Sequence, residues 1–353
     1  MVLTRVFRVN PNNPEPFKID LAARIILDGG LVAFPTETVY GLGANALNPS
    51  AVKKIFLVKG RPLDNPLILH IQHIDDLKIL AKNVSRKATK LAREFWPGPL
   101  TLVLEKSQRV PQITTGGLDT IAVRIPSDII SLSLIRAAGI PVAAPSANVS
   151  GRPSPTRASH VLEDLYGKVD LIIDGGKTRI GLESTVIDMT SPVPVLLRPG
   201  GLPLERIREV IGKISIHSSI LDPKKDHLKS GKGYKSPGMK YRHYSPKADL
   251  ILVKGPKIRV RNKIVELARR MKNERSKSVC ILTNSINNNY IADIVWFFGN
   301  DFETISRGLF EIFRYVDNHN IDVIIAEEMD CVDLGFAVMD RLRRAAREII
   351  SVD

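Results

Sequence analysis

Apolar residues recur at helical spacing from Ile19 to Leu27, and Gly29-Gly30 stands where a left-handed helix cap belongs. The continuous run Leu31-Val32-Ala33-Phe34 then reads as a buried strand leading into the polar turn Pro35-Thr36-Glu37-Thr38. A second helix is predicted from Ser50 to Gly60, a strand at Leu67–Ile71, and helices over 75–82 and 85–95, with a break at Pro97-Gly98-Pro99. Strands follow at Leu100–Leu104 and Thr120–Ile125, separated by the loop Thr114-Thr115-Gly116-Gly117. Apolar runs at 140–144, 170–174, 184–189 and 194–198 alternate with helical stretches near 129–138, 156–166 and 204–212. Alternating strands and helices argue an α/β class. Several strands succeed one another with no crossover helix between them, so the pattern predicts a mixed sheet and not a purely parallel one.

Near residue 215 the pattern stops. Residues 222–247 have almost no aliphatic side chains and neither period, as expected of a linker between domains. Tyr234, Met239, Tyr241 and Tyr244 are unusual in a plain spacer and suggest a segment that docks on something. From Leu250 a second α/β pattern begins. It has strands at 250–253, 279–282 and 322–325, a basic helix around 259–273, a helix near 301–318 and a closing helix over 339–350. That is the pattern of a small Rossmann-like parallel sheet, although no G-x-G-x-x-G follows its first strand. The predicted organisation is a first domain over 1–215, a basic Tyr-containing linker over 216–247 and a second domain over 248–353.

Composition bounds the reading. A chain of 353 residues with 44% hydrophobic and 25% charged residues has the makings of two packed cores. Two cysteines exclude a disulfide scaffold and fit a reducing, cytoplasmic setting. No apolar run approaches the roughly 20 residues that span a bilayer, and no signal peptide is expected. The net charge of +14 calls for a polyanionic partner. It divides unevenly: residues 1–221 hold 27 Lys/Arg against 19 Asp/Glu, residues 222–247 hold 8 against 2, and residues 248–353 hold 16 of each. The excess therefore sits in the first domain and the linker, which suits a bound triphosphate better than a nucleic-acid tail.

Some chemical signals fail on inspection. Gly175-Gly176-Lys177-Thr178 resembles the end of a phosphate-binding P-loop, but the pattern needs glycine at position 171, which is leucine. His70 and His73 lack further metal ligands nearby. Cys280 and Cys331 are isolated in apolar surroundings and read as core residues. What remains is a set of polar residues at the ends of strands. It comprises the run from Pro35 to Leu42, the loop from Lys59 to Pro66, Thr120 and Arg124 flanking one strand, the loop from Ala144 to Ser154, Glu183-Ser184-Thr185, and Arg198-Pro199-Gly200. Polar clusters at strand ends build ligand sites in α/β sheets, while turns also demand such residues. Together they offer cations, hydroxyls and amides without a nucleophile or metal cage, an inventory suited to binding phosphate and positioning substrates.

The run PTETVYGL, the Lys59-x-Arg61 pair, the Ser146-x-Asn148 pair, ESTVID at 183–188, LRPG at 197–200 and the linker SPGMKYRHYSP at 236–246 resemble the YrdC-like L-threonylcarbamoyladenylate synthases, in their long form with an extra α/β domain. The resemblance implies a twisted mixed sheet with a concave basic cavity. It implies synthesis of threonylcarbamoyl-AMP from L-threonine, bicarbonate and ATP with release of pyrophosphate, feeding a separate transferase complex that modifies the adenosine beside the anticodon in tRNA. It places threonine near Thr38, His70, Arg124, Ala144 and Ser184. ATP is implied at Lys59, Arg61, Asn65, Thr120, Ser146, Asn148, Ser154, Arg198 and the linker residue Tyr234, with Lys59 and Arg61 neutralising phosphate charge during the reaction. Mg²⁺ would ride on the ATP phosphates, with no protein metal ligands and no organic cofactor. Contact with tRNA would be weak or indirect, and no membrane is involved. Two alternatives stay open: a non-enzymatic RNA-binding protein, motivated by the charge, and an enzyme forming carbamoyl-AMP instead.

Overall fold

The computed structural model describes residues 2–221, 235, 245–274, 276–284, 290–299 and 301–352. Tyr234, Met239, Tyr241 and Tyr244, the expected docking residues of the linker, lie outside the described residues. The chain divides into two compact units, one of residues 1–150 with 154–241 and one of 151–153 with 242–353.

In the first unit the helix Pro16–Leu27 opens on a proline, whose missing N–H costs nothing in the first turn. Its Ile19, Ala22, Ala23 and Ile26 are buried against Val32, Phe34, Leu134 and Leu171 in one core. The helix Pro49–Lys59 begins where the Asn48 side chain accepts from the Ser50 and Ala51 N–H groups, and ends where Gly60 turns left-handed at φ 59°. Asp128 caps the helix Ile129–Ala138 in the same manner, by accepting from Ser131 N–H.

The sheet of this unit is mixed, as the pattern predicts. Its path runs Arg5–Arg8, Leu171–Asp174, Val32–Phe34, Gly41–Asn45, Val142–Ala143, Ile68–His70, Thr120–Arg124, Leu100–Lys106, Thr185–Asp188, Val195–Arg198 and Ser215–Ile216. Thr120–Arg124 is antiparallel to Leu100–Lys106 but parallel to Ile68–His70. The second unit is a five-stranded parallel sheet in the order Ile294–Phe297, Val279–Thr283, Val323–Glu327, Asp249–Lys254 and Glu348–Ser351.

Several elements differ from the pattern. Gly41–Asn45, for which the pattern predicts no element, is a central strand. Its sequence GLGAN has no β-branched residue, and glycine is needed because a Cβ on Gly43 would stand 2.6 Å from the Phe34 ring. The helix expected over 75–82 shortens to a 3₁₀ turn at Ile74–Asp76 and one turn at Leu77–Leu80, after which Ala81–Lys82 pairs with a strand. The closing helix expected over 339–350 is instead Leu334–Ala345, and Glu348–Ser351 forms an edge strand beside Asp249–Lys254. Cys280 is buried but Cys331 is exposed, so only the first belongs to a core.

Candidate functional site

Strand register assembles most of the site. His70 lies level with Arg124 across a parallel pair. Leu102 is level with Val123, Thr185 with Leu100, and Val186 with Arg198. One edge of the sheet therefore carries, in adjacent strands, His70, Arg124, the start of Leu100–Lys106, Ser184 and Arg198.

Arg124 is the anchor of that edge. Its side chain is 4% exposed and its Nη2 stands 2.6 Å from Glu37 Oε2, itself 2% exposed. Its Nη1 donates to Thr38 Oγ1 at 3.0 Å and its Nε to the Gly98 carbonyl at 3.1 Å. A guanidinium has five N–H donors in one plane, so these partners leave donors for a further anion. Thr38 Oγ1 also sits 2.7 Å from Thr36 Oγ1, which holds the Pro35–Val39 loop in a tight turn. Further along the edge Arg198 donates through Nε and Nη2 to the Ser184 carbonyl at 3.1 and 3.0 Å, and Ser184 Oγ lies 2.7 Å from Thr101 Oγ1. Close backbone packing explains the glycine of LRPG, since a Cβ on Gly200 would meet the Glu183 carbonyl oxygen at 2.3 Å.

A second group forms around the loop after Val142–Ala143. Leu42 N–H donates to the Pro145 carbonyl at 2.7 Å and Ala147 N–H to the Tyr40 carbonyl at 2.8 Å, so the loop is stitched to the segment that leaves Thr38. Ala144 packs over Gly41, where a Cβ would stand 3.3 Å from the Ala144 Cβ. Lys59 is almost fully buried and donates to the carbonyls of Ser146 and Asn148. The expected phosphate cation thus holds the loop that carries two other expected ATP residues. Arg61 similarly shapes its own loop, donating from Nη2 to Asn65 Oδ1 at 2.7 Å and to the Pro66 carbonyl at 2.8 Å. Ser154 Oγ donates to Glu183 Oε1 at 2.5 Å, which ties the loop beyond Asn148 to the residue before Ser184.

Thr120 stands apart. It starts the strand that Arg124 ends, which at strand spacing is about 13 Å away, and lines a separate cavity with Glu105, Lys106 and Thr190. Of the linker, Lys235 is described: its Nζ is 2.9 Å from Asp188 Oδ2 and 2.8 Å from Thr190 Oγ1. Tyr234 lies outside the described residues.

Burial sets the charge states. Full burial, followed by the neighbouring Arg124 charge, pushes the His70 imidazole down to about 3, so it is neutral at physiological pH. Asp128 is pushed up to about 6 by burial first and then by the Glu37 charge. Thr101 and Asp128 were not among the sequence candidates, while Glu37 and Glu183 stood in the candidate runs without an assigned role. Glu37 was findable: it is the one acid inside the strand-exit run PTETVYGL, and a carboxylate buried there needs a cation. Among the described residues no three His, Cys, Asp or Glu side chains gather in a metal-holding group, and no helix is long and apolar enough to cross a membrane.

The mixed-sheet unit with these loops falls in the family described as telomere recombination, the YrdC-like class, which matches residues 24–200; a second match, described as threonylcarbamoyl-AMP synthase C-terminal domain, covers residues 202–347. A Pyrococcus abyssi protein named threonylcarbamoyl-AMP synthase is 56% identical over 332 residues, covering 94% of this chain and 95% of its own length. A Bacillus subtilis protein of the same name is 44% identical over 342 residues, covering 96% of this chain and 94% of its own. The crystal structure of P. abyssi Sua5 complexed with L-threonine superposes with a TM-score of 0.93 at 54% identity, covering 99% of this chain and 100% of that one. This chain belongs to the threonylcarbamoyl-AMP synthase family.

Proposed function

We propose that this chain is a nucleotidyltransferase that joins L-threonine, bicarbonate or CO₂, and ATP into L-threonylcarbamoyl-AMP, releasing pyrophosphate. The observation that carries this reading is the Arg124 guanidinium, buried at a strand end and already oriented by Glu37, Thr38 and Gly98. A fork so held has a fixed plane and remaining donors, which fits bidentate capture of an amino-acid carboxylate. Thr38, neutral His70, Ala144 and Ser184 complete the threonine subsite.

ATP would lie along Lys59, Arg61, Asn65, Ser146, Asn148, Ser154 and Arg198, with Tyr234 at its margin; Thr120, in its separate cavity, falls outside this set. Lys59 then acts through the loop it clamps as well as through its charge. Threonine's amine and CO₂ give a carbamate and release a proton. A carbamate oxygen bonds to the α-phosphorus as the bond from that phosphorus to the pyrophosphate oxygen breaks. No side-chain nucleophile is required, because the gain comes from alignment and charge neutralisation. Mg²⁺ would arrive on the ATP phosphates and supply further neutralisation there. The product would pass to a separate transferase complex for threonylcarbamoyl modification of the adenosine next to the anticodon in tRNA, in the cytoplasm, with tRNA itself contacted weakly or indirectly.

The test is pyrophosphate release from ATP in the presence of bicarbonate and each amino acid in turn. Release that requires both threonine and bicarbonate is expected. Release indifferent to either one contradicts the proposal.

A further inference from the structure

The second unit carries a cavity that the first unit's chemistry does not use. In its sheet, Ile251, Val253, Val279, Ile281, Val323 and Ile325 pack against Val260, Ile264, Leu267 and Met271 of the helix Lys257–Asn273. The alternate residues Leu250, Leu252, Cys280, Leu282, Ile324 and Ala326 are also fully buried. Since strand side chains alternate between faces, the helices Phe302–Asn318 and Leu334–Ala345, which pack on each other, cover the opposite side. The adjacent strands Asp249–Lys254 and Val323–Glu327 therefore send their exits to opposite faces. Such a divergence opens a crevice at the carboxyl ends of the strands, where parallel α/β sheets bind ligands.

A cavity of about 360 Å³ occupies that crevice, lined by Lys257 and Arg261 of the first exit, Glu327 and Asp330 of the second, and Asn284 after the strand Val279–Thr283. Its size is that of a small-ligand site. Its chemistry is divided. On one side stand Lys257, Arg261 and the amino-terminal turn of a 17-residue helix whose cap, Pro256, supplies no side-chain acceptor. Arg261 Nε is buried without a hydrogen-bond partner. The other side presents acceptors. Glu327 is 8% exposed and takes hydrogen bonds from Thr283 Oγ1 and Asn284 N–H, while Asn284 Oδ1 is buried with no partner. Glu328 is already paired with Arg343 at 3.1 Å and stays out of the count. Gly255 carries no ligand argument either, because the Val352 carbonyl would lie 2.1 Å from its Cβ.

We infer that this cavity binds a phosphomonoester bearing sugar hydroxyls. The phosphate would meet Lys257, Arg261 and the helix end, where backbone N–H groups and the dipole favour an anion, and the hydroxyls would donate to Glu327, Asp330 and Asn284. A cation pair alone would suit any anion. The unpartnered acceptor opposite it is what selects a ligand with donors at its far end.

Hydrogen exchange on the full chain localises the test away from the first unit's nucleotide site. The probes are ribose 5-phosphate, AMP and inorganic phosphate, each titrated to millimolar concentration. Protection of peptides covering 255–261 and 327–330 by ribose 5-phosphate or AMP is expected, at least tenfold more readily than by phosphate. Protection by AMP alone assigns the ligand as a nucleotide, and protection by both as any ribose phosphate. Arg261→Ala and Asp330→Asn should each weaken that protection tenfold or more while leaving threonine-dependent turnover unchanged. No protection by any probe, equal protection by phosphate, or protection indifferent to both substitutions overturns the inference.

Discussion

Replacing Arg124 by lysine keeps a positive charge at the strand end but removes the planar fork. Glu37, 2.6 Å from the guanidinium, retains a counter-ion, so the large penalty of an orphaned buried carboxylate is avoided. The contacts to Thr38 Oγ1 and the Gly98 carbonyl, at 3.0 and 3.1 Å on separate nitrogens, cannot both be reproduced by one ammonium. A hydrogen bond to a charged group contributes about 1.5–3 kcal/mol. Allowing for partial recovery by the lysine, the variant should lose about 2–4 kcal/mol of stability, a fall of about 5–15 °C in Tm for a unit of this size. The substrate effect is separate. Exchanging a bidentate for a single contact to the threonine carboxylate removes one charge-assisted bond, which at about 1.4 kcal/mol per decade raises the threonine KM about 10- to 100-fold. The KM for ATP should move less than about threefold. Initial rates of pyrophosphate release, measured well below the variant's Tm against each substrate in turn, separate the two. Equal shifts for threonine and ATP, or an unchanged threonine KM, refute the carboxylate role.

Other perturbations probe the remaining parts. Arg61→Ala frees Asn65 and the Pro66 carbonyl from their shared donor, and threonine- and bicarbonate-dependent pyrophosphate release should fall sharply; unchanged turnover counts against its place in the ATP site. Lys59→Met leaves the Ser146 and Asn148 carbonyls without their donor. Chemical denaturation should then show a loss of about 3–5 kcal/mol, and ATP affinity should drop even though threonine still binds. Asp128 has its folded value raised to about 6 from 3.8, so the folded state takes up its proton first as pH falls, and the ionised group costs stability above that window. Asp128→Asn keeps the acceptor that caps Ser131 and should stabilise the protein by about 2–3 kcal/mol at pH 7, a gain that falls to about 0.5 kcal/mol at pH 4 and is gone below about pH 3 in parallel melts. A chain ending at residue 221 lacks Lys235, an exposed partner of Asp188. It should stay folded yet lose much of its activity, and full activity would show that the linker only tethers.

The legible parts of the fold were those with local punctuation. The helix Ile129–Ala138 is bounded by an Asp128 cap and a left-handed Gly139, and its predicted limits match. The strand Gly41–Asn45 was illegible because its residues are chosen for close approach to Phe34 and Ala144, a tertiary demand with no local signature. Glu348–Ser351 continues the amphipathic pattern of the preceding helix, and its place as an edge strand is set by pairing with a strand about 100 residues earlier in the chain. At the site, the strand-end positions of Arg124, Ser184 and Arg198 could be read from the sequence. The clamp made by Lys59 could not, because its acceptors are backbone carbonyls 87 and 89 residues away and carry no residue-type signal. Glu37 is different: its place in the strand-exit run is visible in the sequence, and only its partner is set by the fold that brings Arg124 within 2.6 Å.

The central claim is that one active site builds a carbamoyl group on threonine's nitrogen and joins it to AMP. Incubating the protein with ATP, threonine and ¹³C-labelled bicarbonate, then weighing the adenylate by mass spectrometry, tests it most directly. A threonylcarbamoyl-AMP species that gains one mass unit from the labelled carbon is expected, and it should be absent when serine or valine replaces threonine. An adenylate without the label, or one formed equally well with other amino acids, would contradict it.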